Sequence, residues 1–208
     1  MTPNKANEYL NDFSISGNAI ATIDIADGTY QISEAIEITH PDANRIVIDG
    51  NTGTPANVII QTTAAVNAIE IIGNGQPVMI QGLTLDGNGT GTNGVFVSFN
   101  SKANFANMIV DDFTVNGFFI LNSSNVTITI CTASNNTATG ISVNNDSRVY
   151  TGGGVITLTN NATGIRAGNF SSARIGSVTA SGNGTDFSPT VTAGDTPTYG
   201  NDMGIISQ

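Results

Sequence analysis

Apolar residues return along this chain in short alternating runs. They begin at Ala68-Ile69, Gly94-Val95, Gly117-Phe118, Gly140-Ile141, Gly164-Ile165 and Asp186-Phe187, at intervals of 26, 23, 23, 24 and 22 residues. A period of this length is the mark of stacked coils. Within each period a second apolar alternation follows, at Met79 to Leu85, Met108 to Val115, Val126 to Ile130, Val155 to Leu158 and Ile175 to Val178. Two or three short strands therefore fit in each turn. Turn-forming clusters such as Gly73-Asn74-Gly75, Asp86-Gly87-Asn88-Gly89, Asn122 to Asn125, Ser134-Asn135-Asn136 and Ser181-Gly182-Asn183-Gly184 separate them.

Strands of four or five residues cannot bury a face alone, so each turn must stack on the last, with parallel strands about 4.8 Å apart. A leucine-rich repeat would need Leu and Asn at fixed offsets, and a propeller a longer antiparallel period; neither pattern is present. The expected fold is all-β, a right-handed parallel β-helix over residues 20–188. Ile23 to Ile25, Tyr30 to Ile32, Ile36 to Ile38, Ile46 to Ile48 and Val58 to Ile60 supply its first two turns. Ala6, Tyr9, Leu10 and Phe13 have helical spacing, which predicts a short capping helix within an N-terminal segment, 1–19, over the open end of the coil. After Phe187 the period stops, and 189–208 reads as a C-terminal cap or an arm.

Asp27-Gly28-Thr29-Tyr30, then Ile32, Ile36, Ile38 and Arg45-Ile46-Val47-Ile48-Asp49-Gly50, resembles the opening turns of the pectin-lyase-like superfamily. With Thr39-His40-Pro41-Asp42 before Arg45 and Gly50-Asn51-Thr52 after Asp49, the phrase is similar to β-helical regions of bacteriophage tail fibres and tailspikes. That superfamily holds lyases, hydrolases, epimerases, adhesins and receptor-binding proteins, so the resemblance implies a fold and leaves the activity to the sites. Phage fibres of this kind are homotrimers, and a homotrimer among other virion proteins is the assembly the resemblance implies.

Composition narrows the partners. Charged residues are only 11% of the chain, against 24 glycines among 208 residues, so Asn, Thr and Ser must carry solubility. The net charge of -10 opposes nucleic-acid binding. Membrane insertion is not expected, because no run approaches the roughly 20 apolar residues of a span. Met1 to Leu10 lacks the basic and apolar regions of a signal peptide, so a route such as release inside a virion is expected to bring the chain to a virion surface or the extracellular space. Cys131, alone in its run, reads as a buried thiol.

Chemistry is sparse. Of the hydrolase motifs of this fold, only Asp111-Asp112 matches a part. Lys102, Arg148, Arg166 and Arg174 lie in no lyase or epimerase motif, and His40 reads as a loop residue bonded to its neighbours. Asp86 in one turn and Asp111 or Asp112 in the next form a candidate carboxylate pair for glycoside hydrolysis, although Asp86 before Gly87 and Asp111-Asp112 also read as a turn and a bend. No metal or cofactor is expected; Asp86 to Thr90 has no bidentate Glu and reads as a solvated turn.

With Ile69, Val95, Phe118, Ile141 and Ile165 inside the coil, alternation turns Glu70, Phe96, Phe119, Ser142 and Arg166 outward. The next outward row holds Ile72 and Leu121, so Ile72, Phe96, Phe119 and Leu121 form a candidate interface. The resulting expectation is a tail-fibre or tailspike-like virion module that attaches to host-surface polysaccharide. A polysaccharide-degrading enzyme and a secreted bacterial adhesin are the alternatives.

Overall fold

The computed structural model describes residues 14–188, together with Pro3, Lys5, Ala6 and Glu8 and the backbone of Ile205–Ser207. Between Ala21 and Ser188 the chain winds through seven coils, each with three short strands, and the strands of successive coils pair in parallel. Three sheets result. The first face runs Ala21–Asp24, Ile46–Asp49, Val78–Gln81, Lys102–Ala106, Asn125–Thr129, Arg148–Thr151, Ser172–Ile175 and Ile205–Ser207. The second runs Gly28–Ile32, Val58–Thr62, Thr84–Asp86, Ile109–Asp111, Thr132–Ser134, Ile156–Thr159 and Val178–Ser181. The third runs Ile36–Ile38, Ile69–Ile72, Asn93–Ser98, Asn116–Ile120, Thr139–Val143, Thr163–Ala167 and Thr185–Ser188.

The architecture is thus the expected all-β parallel solenoid, with one refinement. The second apolar alternation is two columns, because a corner at Gly82 and Leu83 divides Met79 to Leu85 between the first and second faces. Lys102–Ala106 on the first face is a strand that apolar periodicity alone misses. Its inward residues are Ala103 and Phe105, and polar Asn104 lies between them. Of the capping helix expected over residues 4–13, most positions lie outside the described residues. Lys5 donates to Glu8 across 2.6 Å, and Ala6 packs on the core. The C-terminal cap or arm likewise lies outside them, except that Ile205–Ser207 pairs with the Ser172–Ile175 strand.

One apolar column fills the coil. Ile69, Val95, Phe118, Ile141 and Ile165 lie in direct register on the third face, each at most 1% exposed. Opposite Phe118, Phe105 of the first face meets it edge to face, with ring centroids 5.6 Å apart. Parallel strands buried on one side in this way hold their register, since a one-residue slip would turn every inward residue outward.

The recurrent glycine has a steric cause. A Cβ at Gly140 would lie 2.8 Å from the carbonyl oxygen of Gly164 and 3.1 Å from the Asn161 amide nitrogen. Gly117 stands in the same relation to Gly140, and Gly164 to Asp186. Only a residue without a side chain lets the corner of one coil come this close to the next.

Polar ladders close the corners. Between the second and third faces, Asn136 donates both its backbone N–H and its Nδ2 to Asn161 Oδ1, each at 3.0 Å, and Asn161 repeats the pair of bonds onto Asn183. Asn161 Nδ2 also donates to the Ala133 carbonyl. Between the third and first faces, the Ser101, Ser124, Ser147 and Ser171 hydroxyls each accept from the backbone N–H one coil earlier. All four are at most 1% exposed. Each of these serines follows two residues of positive φ: Phe99-Asn100, Asn122-Ser123, Asn145-Asp146 and Asn169-Phe170.

Two substitutions test this account by chemical denaturation. Gly140→Ala should cost about 2 kcal/mol, because its methyl meets backbone that cannot retreat. Asn161→Ala strips partners from several buried groups at once and should cost about 3 kcal/mol, with the fold of the outer coils retained.

Candidate functional site

The second face brings the carboxylate candidates together. Its outward column reads Gln31, Gln61, Asp86, Asp111, Ser134, Thr159 and Ser181, in register from coil to coil. Asp86 and Asp111 are therefore neighbours one strand apart, about 4.8 Å. That spacing belongs to the strands; the two carboxylates bond to opposite neighbours, Asp86 to Gln61 one coil earlier and Asp111 to Ser134 one coil later. Both are held by the column. Asp86 accepts from Gln61 Nε2 and from the Asn88 backbone N–H, each at 2.8 Å. Asp111 Oδ1 accepts from the Ser134 hydroxyl at 2.6 Å and from Asn135 Nδ2 at 2.8 Å. Asp112 is separated from the pair: it sits past the strand end with a φ of 60°, exposed at the corner.

The parallel column two residues earlier reads Thr29, Ile59, Thr84, Ile109, Thr132, Thr157 and Thr179. Over the last three coils the second face thus presents only short hydroxyl side chains, in two rows, to solvent.

On the third face the predicted outward row is in register. Glu70, Phe96, Phe119, Ser142 and Arg166 are successive partners. Phe96 and Phe119 stay outward and half-buried, with ring centroids 5.8 Å apart at 66°. Ile72 is 39% exposed in the neighbouring row, and Leu121 continues that row beside Val97. Glu70 borders the pair on one side, and Ser142, buried beneath Asn144 Nδ2, borders it on the other.

The first face carries a further group of polar residues that form no sequence motif. Tyr150 is exposed and pairs in register with Thr127 on one side and Arg174 on the other. Tyr150, Thr151, Gly152, Gly153, Arg174, Ile175 and Gly176 line an open groove of about 370 Å³. At its edge Ile130 takes a φ of 51°, unusual for a β-branched residue, and is exposed beside the Gly152 to Gly154 run, as is Val155. The available signal was spacing: Lys102 and Arg148 stand two periods apart, and Arg148 and Tyr150 occupy alternate positions of one strand.

His40 is buried in the loop before the second coil, where its Nδ1 accepts from the Asp42 backbone N–H at 2.9 Å. Cys131 is buried at the corner after the Asn125–Thr129 strand, and burial pushes its thiol up from 9.0 to about 11. Among the described residues, no group of three His, Cys, Asp or Glu side chains converges as metal ligands would. No helix is long and apolar enough to cross a membrane among them.

No protein-family model matches the chain, and neither does any curated protein or solved structure. The fold that the coordinates define is a parallel β-solenoid, and the chemistry has to be argued from its surfaces.

The Cys131 thiol ties stability to pH. The unfolded thiol ionises near 9.0 and the folded one near 11, so the folded chain retains a proton that the unfolded chain has released. This contribution is complete below the lower value and is lost as pH rises to the upper one, on the order of 2–3 kcal/mol. Urea midpoints at about pH 8 and about pH 10.5 should differ for the native chain and differ less for Cys131→Ala.

Proposed function

We propose that this chain is an attachment module of a virion surface, a tail-fibre or tailspike-like right-handed β-helix of the pectin-lyase-like kind that binds host-surface carbohydrate. The observation that carries this reading is the outward second face, where Thr132 and Ser134, Thr157 and Thr159, and Thr179 and Ser181 repeat in two straight rows. Hydroxyls spaced by the strand repeat, on a scaffold that cannot splay, meet sugar hydroxyls at little entropic cost. Right-handed winding is the hand that parallel crossover connections take in nearly all proteins. The resemblance of Asp27 to Thr52 to tailspike opening turns supports the class of protein.

A homotrimer is the assembly that fits this reading. Phe96 and Phe119 form a paired aromatic patch on a face otherwise polar at its C-terminal end, and three copies packed about a common axis would cover it. Phe119→Asp should shift the mass measured by light scattering from trimer to monomer; an unchanged mass would reject this interface.

One observation favours a second reading, that of a polysaccharide-cleaving enzyme: the Asp86 and Asp111 register. Incubation with surface polysaccharides separates the two. Under the attachment reading the polymers are retained on the protein and release no new reducing ends, whereas cleavage abolished by Asp111→Asn would establish the enzyme.

A further inference from the structure

The charge of this acidic chain is segregated along the first face. Its first two strands point Asp24 and Asp49 outward, in register. From the fourth coil on, the strands Lys102–Ala106, Asn125–Thr129, Arg148–Thr151 and Ser172–Ile175 contain no Asp or Glu, yet carry Lys102, Arg148 and Arg174. These are half of the six basic residues of the whole chain. All three side chains are exposed. Lys102, Asn125, Arg148 and Ser172 form one outward column, and Thr127, Tyr150 and Arg174 form the next. Asp146, exposed at the corner before Arg148, is the nearest acidic residue in sequence.

Aromatic rings accompany the cations. Tyr150 stands between the two arginines, and the corner bordering this face exposes Phe170 by 61%. Phe170 takes a φ of 62°, a conformation that bulky residues rarely adopt. It holds an apolar ring in solvent beside a positively charged sheet. Glycines at 152, 153 and 176 line the groove beside Tyr150 and Arg174, together with Thr151 and Ile175.

We propose that the first face of coils four to seven is a binding site for an anionic polysaccharide. This rests on the attachment reading and goes beyond it, adding a charged site on the first face to the hydroxyl rows of the second. Guanidinium groups bind carboxylate or sulfate through paired charge-assisted hydrogen bonds. The ring of Tyr150 takes the apolar face of a sugar, and Asn104, Asn125 and Thr127 meet its hydroxyls. Lys102 and Arg148, two strands apart at about 10 Å, match a polymer that carries repeated charges along its length. Nucleic acid is the poorer match, because a chain of net charge -10 repels a continuous phosphate backbone.

The test uses the full chain in low salt, titrated with hyaluronan, dextran sulfate, neutral dextran and an oligothymidylate. The expected result is binding of one or both acidic polysaccharides, weakening with added salt. The hyaluronan and dextran sulfate arms tell a carboxylate site from a sulfate site. Arg148→Ala and Arg174→Ala should each weaken binding about tenfold. So should Gly153→Leu, whose new side chain enters open space in the groove without meeting the fold. Arg166→Ala, on the third face, should leave affinity unchanged, and circular dichroism should be the same for all variants. Binding of acidic polymers that ignores these three substitutions overturns the proposal, as does a preference for oligothymidylate. Neutral dextran bound independently of the arginines would overturn it while leaving carbohydrate attachment standing; no binding of any polysaccharide would sink both.

Discussion

No coil of this protein can bury its own apolar side chains, and everything else in the structure follows from that deficit. A turn of some 23 residues has three strands and only a handful of inward residues, such as Val126, Ile128, Ala133, Ile141 and Val143 in the fifth coil. These residues leave water only when the coils above and below close over them. The same stacking satisfies the backbone, since the N–H and C=O groups of each strand find partners only in its neighbours. Hydrophobic burial and backbone pairing therefore demand one shared register, and the direct alignment of Val95, Phe118, Ile141 and Ile165 is its outcome.

The corners are where that demand is hardest to meet. A chain that turns three times per coil must bend within a few residues, as few as two at Asn107-Met108 and Ile130-Cys131, without leaving buried polar groups unpaired. Two devices recur. Residues of positive φ make the bend, and asparagine is frequent among them because its short amide tolerates that conformation. Inward Asn and Ser side chains then bond the backbone one coil away, as in Asn136 to Asn161 to Asn183 and in the serine file from Ser101 to Ser171. These bonds run along the solenoid axis in the same direction as the strand pairing, so each corner adds to the cooperativity of the stack. The abundance of Asn, Ser and Gly, which from composition alone suggests loops, is the chemistry of a repeated tight corner.

Outward positions are exempt from these constraints, which is why the surface can differ from one face to the next. The second face carries hydroxyls and an acidic pair, the third a pair of phenylalanines, and the first changes from acidic to basic along its length. A rigid frame holds such differences in place at the spacing of the strand repeat. An extended ligand can then meet several coils at once without the scaffold having to adjust.

Much of the fold was legible in the sequence. Inward residues recur with the coil and Gly117, Gly140 and Gly164 recur with them, since burial and close backbone approach both act on residue type at a fixed interval. The outward row with Phe96 and Phe119 could be read the same way, because alternation in a strand is strict. Strands with small or polar residues, such as Lys102–Ala106, left too weak an apolar signal and were found only through their pairing.

What the tertiary structure alone decided is the offset between coils on the faces whose strands carry little apolar signal. Tyr150 and Arg174 lie 24 positions apart and Asp111 and Ser134 lie 23 apart, yet each pair is in register because corner lengths absorb the irregular spacing of the chain. A periodic pattern determines that the backbone must coil; the offset between one coil and the next depends on corner packing, a sum over contacts distant in sequence. The sequence therefore sufficed for the parallel solenoid and for the Asp86 and Phe96 rows, whereas the basic first face awaited the three-dimensional register.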